Sequence, residues 1–411
     1  MARHVTLVLC GSDGDPLGTA APFAVEWPWW QDAEAVVAAA AGNGLDVIVL
    51  RLLGGTPAVE GGPLSGGEVT YLAELRGPAP AGLGPVTPAL VSTALDDHPL
   101  RMPWARAGGP SDDLVWATWR LEESGLGLTG PPAQIRTWNL SSIWRLATTS
   151  GTVWLKVVPD FFAHEGMVVE LVALLRADTV PEVIACEGNR MLLADIPGED
   201  LYDTGFSHLA AMARLLIDTQ VATGDLVDEL ADRGATDWRI REMAPQLARV
   251  VDDWGHSLDL EARWRLDAIV DGLEATATAV ANAGLPDTLV HGDFHPGNVR
   301  GDPSTVEKGL TIIDWGDSGV GHPLLDAHDF IARAAATHHD ALWKVWIDGW
   351  RKVVRKSDPL RAAELLAPVA ALRNAAVFRH FCDSIEPSER PYHVNDIARG
   401  LRAAANTAWG P

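Results

Sequence analysis

His291-Gly-Asp-Phe-His-Pro-Gly-Asn-Val299 reads HGDFHPGNV and sets two oxygen-bearing side chains, Asp293 and Asn298, five residues apart. Gly292, Pro296 and Gly297 mark the stretch as a loop. Working outward, long helical stretches flank it: HLAAMARLLIDTQVAT and DLEARWRLDAIVDGLEATATAVANAG before, ALWKVWIDGWRKVVRK after. Trp343, Trp346 and Trp350 are spaced by three and four, which places them on one helical face as a core stripe. Between loop and last helix, the strand-like run LTIIDWGD brings Asp314, followed by Trp315-Gly316.

Upstream of Asp203 the pattern changes to strands. IRTWN, SSIWRLATT and TVWLKVV are joined by short turns, one of them at Ser150-Gly151, and PEVIACEGNRMLLADI adds two more. With a helix over Glu165 to Leu175, this reads as a small antiparallel sheet carrying one helix. Gly/Pro-rich clusters lie at 54–67 and 77–85, and a third, GLGLTGPP, ends at Pro132 as a boundary. Before it, HVTLVL, DVIVLRLL and EVTYLAEL read as strands and Gln31 to Ala41 as a helix, giving a small α/β domain. The expected organisation is an accessory α/β domain over 1–130, a β lobe over 131–196 and a helical lobe over 197–411, an α+β protein.

The first domain resembles a Nudix-type domain in the run FAVEWPWW and the helix-like segment after it. It lacks that family's acidic metal-binding helix: Asp13, Asp15, Glu26, Asp32 and Glu34 make no tight carboxylate cluster. The indoles of WPWWQ at 27–31 are expected to bury against the next domain.

The chain has 411 residues, 47% of them hydrophobic, enough for two or three domains with sizeable cores. Its 32 Lys and Arg against 55 Asp and Glu give a formal charge of -23, which argues against nucleic acid or an anionic membrane as partner and favours a cationic ligand. Cys10, Cys186 and Cys382 are too scattered for a zinc site or disulfide framework, and a reduced cytoplasm is the expected compartment. The apolar run Val5 to Cys10 is short for a signal peptide, and Asn43 and Asp46 interrupt the only longer one.

A loop Asp, an Asn five later and an Asp-x-Gly at a strand end match the catalytic and metal-binding loops of kinase-like enzymes. Asn298 and Asp314 are oxygen donors suited to Mg2+, a hard cation. Asp293 is then left to orient an acceptor hydroxyl and take its proton. Taken alone, HGDFHPGN also suits an Asx turn in which Asp and Asn serve only the loop backbone.

HGDFHPGN followed by IIDWGDSGVGHPLLD resembles the aminoglycoside phosphotransferase and choline kinase-like family over roughly residues 130–400. The resemblance implies a bilobal protein-kinase-like fold, with Asp293 as catalytic base, Asn298 and Asp314 as magnesium ligands and Asp326 as a structural aspartate. It makes Lys156 of TVWLKVV the lysine on the α- and β-phosphates of ATP, with Glu170 as its ion-pair partner and Glu165 as the rival. It gives Ala194 and Ile196 backbone contacts to adenine. WNLSSIW has no glycine, so Asn139, Ser141 and Ser142 are the candidate phosphate donors there. His291 and His295 are expected to be scaffold, and Asp383, Glu386 and Glu389 either acceptor contacts or a charged surface loop. The expected function is ATP- and Mg2+-dependent transfer of the γ-phosphoryl group to a small-molecule hydroxyl, with a cationic aminoglycoside or amino sugar as candidate acceptor. A catalytically idle kinase-like module is the alternative, and the oligomeric state is left open.

Overall fold

The computed structural model describes residues 2–87, 95–306 and 309–407. The chain divides into two compact units. The first comprises Met1–Asp160, Ile184–Asp195 and His380–Asn395; the second comprises Phe161–Val183, Ile196–Arg379 and Asp396–Pro411.

In the first unit, β1 (Arg3–Cys10), β2 (Pro16–Thr19), β3 (Phe23–Val25), β4 (Val47–Thr56) and β5 (Gly67–Leu75) form a mixed sheet. Its order is β2-β1-β5-β4, with β3 also on β1; β1 and β5 are parallel, β4 and β5 antiparallel. Alternating apolar residues of β1, β4 and β5 and the helix Glu34–Gly42 enclose a core of Val5, Leu7, Val49, Leu52, Val69 and Tyr71. Of the 27–31 tryptophans only Trp30 is buried, and it belongs to this core, its indole donating to Gly66 O at 2.8 Å. Trp27 and Trp29 are exposed, which corrects the expectation of burial against a following domain.

A second sheet, β6 (Ala133–Trp138), β7 (Ser141–Thr148), β8 (Gly151–Val157), β9 (Val183–Glu187) and β10 (Arg190–Ala194), runs in the order β6-β7-β8-β10-β9. Segments 1–130 and 131–160 share one unit, and β6 is bonded to the first segment by an isolated bridge between Asp32 and Arg136 and by its Gln134 side chain. β4 ends the first sheet, and the Gln134 amide pairs with its backbone, accepting from Val49 N at 2.9 Å and donating to Val49 O at 2.7 Å. The backbone of Ala33 and Thr137 adds bonds between segment 31–33 and β6.

Residues 380–395, expected in the helical lobe, complete this unit. Leu52 N donates to Glu389 Oε1 at 3.3 Å, and Glu386 is chelated by Arg101 at 3.0 and 2.9 Å with Arg51 at 3.5 Å. Both glutamates are buried, so they are neither a surface loop nor free for an acceptor, since the β4 backbone, Arg51 and Arg101 consume them. The helix Gly109–Glu123, absent from the sequence reading, docks by Asp113 on Arg190 of β10 at 2.8 Å and by Trp116 on Glu187 of β9 at 3.0 Å.

The second unit is mostly helical, with helices at Glu165–Arg176, Phe206–Ala222, Ile240–Trp254, Leu324–Arg333, His339–Val353 and in the stretch before Arg379. Residues 260–282 form two helices, because Gly272 ends one and begins the next. Trp346 and Trp350 are fully buried, and Trp343 is half-buried with its ring edge-on to His328. Two short strands, β11 (Val299–Gly301) and β12 (Thr311–Ile312), pair antiparallel and carry the loop of interest.

Candidate active site

The β11–β12 pair joins the two halves of the motif. Val299 lies opposite Ile312, and Ile313 N donates to Asn298 O at 2.9 Å, so Asn298 and Asp314 leave the same end of one hairpin. Asn298 is buried and donates from Nδ2 to Asp293 O at 3.0 Å and to Asp293 Oδ2 at 3.4 Å. That use of the amide nitrogen leaves Oδ1 as the donor atom for a cation. Asp314 is exposed and adopts φ 66° and ψ 61°.

Asp293 is half-buried. Its Oδ1 accepts from Arg333 Nη1 at 2.5 Å, and His295 Nε2 stands 3.6 Å from Oδ2. Burial pushes its carboxyl upward, but Arg333 and His295 more than offset this and hold it well below the ordinary carboxylate range. Asp317 moves the opposite way, raised by burial and by the Asp293 charge.

Behind these residues lies a rigid support. Asp326, fully buried, accepts from His291 N and Gly292 N at 2.9 Å each and from Gln220 Nε2 at 2.9 Å. Burial lifts its carboxyl to about 7 against the pull of the two backbone N–H groups. On the other side of the Gly292 peptide, buried Arg373 donates to Gly292 O at 3.1 Å while stacking over Trp238 at 4.2 Å. Gly292 has φ +83°, and a Cβ there would meet Asp317 O at 2.1 Å, so only glycine fits. His291 is buried, contacts Ile313 O at 3.0 Å and lies against Trp315; burial lowers its pKa to about 4. Neither His291 nor His295 joins a metal cluster: among the described residues no three His, Cys, Asp or Glu side chains converge on one point.

The helix Glu165–Arg176 buries Glu165, Val168, Val169 and Val172, a stripe at three- and four-residue spacing. Glu165 Oε1 accepts from Trp315 N at 3.1 Å, and His164 Nε2 contacts Ser318 O at 2.9 Å, tying this helix to the turn after Asp314. Glu170 falls off the stripe and is exposed, so the buried carboxylate of this helix is Glu165, the rival.

In the first unit Lys156 is buried on the central strand β8, opposite Ile143 and Met191. Ala194 ends β10 opposite Val153, and Ile196 follows in the second unit, half-buried. Ser141 and Ser142 are buried, and their hydroxyls accept from the indoles of Trp138 at 3.0 Å and Trp144 at 3.1 Å. Asn139 is fully buried, contacting His393 Nε2 at 2.7 Å and Glu389 O at 3.3 Å. This corrects the expectation that Asn139 offers phosphate contacts: segment 386–393 has taken its amide.

An antiparallel sheet bearing a buried lysine, and a helical unit bearing an Asp/Asn loop beside an Asp-Trp-Gly turn, define a protein-kinase-like α+β fold. The model of the phosphotransferase enzyme family (APH) matches residues 139–365, more than half of the chain, which belongs to that family. Solved structures that align with it include macrolide 2'-phosphotransferase MphH from Brachybacterium faecium, at 16% identity over 73% of this chain and 99% of that one, with a TM-score of 0.46. The GDP complex of aminoglycoside 2'-phosphotransferase-IIIa aligns at 14% identity over 72% of this chain and 98% of that one, TM-score 0.48. A putative fructosamine-3-kinase from Thermobifida fusca YX-ER1 aligns at 17% identity over 70% and 98%, TM-score 0.48. No curated protein sequence matches the chain. No described helix is long and apolar enough to cross a membrane.

Proposed function

We propose that the chain is a Mg2+- and ATP-dependent phosphotransferase that moves the γ-phosphoryl group to a hydroxyl of a small molecule. The observation that carries this is the hairpin, which sets Asn298 and Asp314 side by side while Asn298 Nδ2 fixes the backbone and carboxylate of Asp293. The donor set suits magnesium: one carboxylate and one amide oxygen leave the rest of a hard cation's shell to phosphate oxygens and water. Bound by Asn298 and Asp314, magnesium would offset charge on the phosphate oxygens. Asp293 orients the acceptor hydroxyl and takes its proton as the new O–P bond forms and the bond to the ADP oxygen breaks. Lys156 is assigned to the α- and β-phosphates, and the backbone of Ala194 and Ile196 to adenine. At the β6–β7 turn the proposed phosphate donors are the backbone N–H groups and the hydroxyls of Ser141 and Ser142, which accept from indoles and keep an O–H to donate.

The acceptor class within small hydroxyl compounds is proposed as an aminoglycoside or amino sugar, on the strength of the net charge of -23. A catalytically idle module is the competing reading, and the anchored β6–β7 turn is the observation on its side. ATP consumption over aminoglycosides, amino sugars, neutral sugars and amino alcohols separates the two. Turnover that disappears without magnesium, and falls about 10²–10⁴-fold in Asp293→Asn, supports the enzyme. ATP and magnesium binding with no turnover on any acceptor supports the idle module.

A further inference from the structure

HPLLDAHDFIAR carries Asp326, Asp329 and Arg333 at spacings of three and four on the helix Leu324–Arg333, which puts all three on one face. That face meets the loop of Asp293 at each step. Asp326 takes the N–H groups of His291 and Gly292, and Arg333 donates to Asp293 Oδ1 at 2.5 Å. Asp329 lies one turn before Arg333, receives Asn374 Nδ2 at 2.7 Å and faces Arg373 at 3.5 Å, the residue that donates to Gly292 O. Arg333 is therefore bonded to Asp293, and both Asp293 and Asp329, one turn away on the same helix face, are held by a second partner.

We propose, on the basis of the phosphotransferase reading above, that Arg333 is a second catalytic residue, whose guanidinium spans from Asp293 to the transferring phosphoryl group. An acceptor oxygen bonded to Asp293 lies about 2.6–3.2 Å from that carboxylate, and reacting atoms approach to about 3–3.5 Å. A donor already bonded to the same carboxylate is thus within one side chain's reach of the phosphoryl oxygens. Arg333 uses one of its N–H donors on Asp293, and a guanidinium presents five in a fixed fork. Its side chain is 36% exposed, so part of the fork faces open space while the bond to Asp293 holds the rest. During transfer the acceptor proton goes to Asp293, the O–P bond forms and the P–O bond to ADP breaks; Arg333 keeps its protons and stabilises charge on the phosphoryl oxygens.

The test uses the full chain with MgATP and follows ATP hydrolysis with water as acceptor, together with turnover on any acceptor that the panel identifies. Arg333→Gln is expected to lower kcat by about 10²–10³-fold with the KM for ATP changed less than about threefold. Arg333→Lys recovers part of that loss, and added guanidinium ion restores Arg333→Ala saturably without restoring Asp293→Asn. Melting temperature and ATP binding of each variant are measured alongside. An Arg333→Gln enzyme within threefold of wild-type kcat overturns the proposal, as does a loss that tracks a lowered melting temperature and answers to neither lysine nor guanidinium. A wild-type chain that binds MgATP but neither hydrolyses nor transfers it overturns the phosphotransferase reading itself, and this inference with it.

Discussion

Asp314 is the one non-glycine residue among those described whose φ is positive. A left-handed backbone costs an L residue roughly 1–2 kcal/mol, and Asp is among the few side chains that visit it. The neighbouring bonds enforce it: Ile313 N is fixed to Asn298 O on one side and Trp315 N to Glu165 on the other. Such strain is expected where a side chain must be aimed. Asp314→Gly should therefore be more stable than Asp314→Ala by about 1 kcal/mol, while both lose magnesium-dependent turnover. Thermal melts with a magnesium titration of ATP binding check this, and equal stability of the two variants would remove the backbone argument. Gly292→Ala, whose Cβ would strike the Asp317 carbonyl, is expected to cost far more than either and to yield little folded protein.

One helix, Leu324–Arg333, does most of the work of holding the loop, and Asp326 is its centre. In Asp326→Asn an amide NH2 replaces one acceptor oxygen and faces a backbone N–H or the Gln220 amide, so two donors meet. That costs about 1–3 kcal/mol and should lower kcat more than it raises the KM for ATP; steady-state kinetics beside urea melts read both. An unchanged kcat would mean that the loop holds its shape without this bond. The sequence made part of this arrangement visible. HGDFHPGN, IIDWGD and Asp326 are legible because their chemistry lies at fixed local offsets. Asp329 and Arg333 were equally local, on the same helical stripe, and only the question of which face the helix presents hid them. Arg373 had no such signal: it reaches Gly292 across 81 residues, and no spacing rule links that helix to the loop. That Glu165 is buried and Glu170 exposed is visible only once the helix register is known.

Long-range burial also governs how the whole chain responds to pH, and segment 386–393 shows it. Glu389 and Glu386 read in sequence as acceptor contacts or surface charges, yet both are buried, with Glu389 337 residues from its Leu52 donor. Burial raises the Glu389 carboxyl from 4.5 to about 7; Glu386 adds to the rise, while Leu52 N–H, Arg51 and Arg101 oppose it. The folded chain therefore holds this proton between about pH 4.5 and 7 when the unfolded chain has released it, and stability falls as pH rises through that window. His393, buried four residues on, acts in the opposite sense. Its pKa drops from 6.5 to about 3 on burial, so its contribution is present above pH 6.5 and is lost as pH falls. In the parent the two offset each other. Glu389→Gln keeps an oxygen for Leu52 N–H and removes only the titration. Its stability should fall more steeply than the parent's from pH 7 to 5, by about 1.4 kcal/mol per pH unit. Urea unfolding at pH 5, 6, 7 and 8 measures the two curves. Parallel curves would mean that Glu389 titrates in the folded chain as it does in the unfolded one, with its burial relieved by solvent.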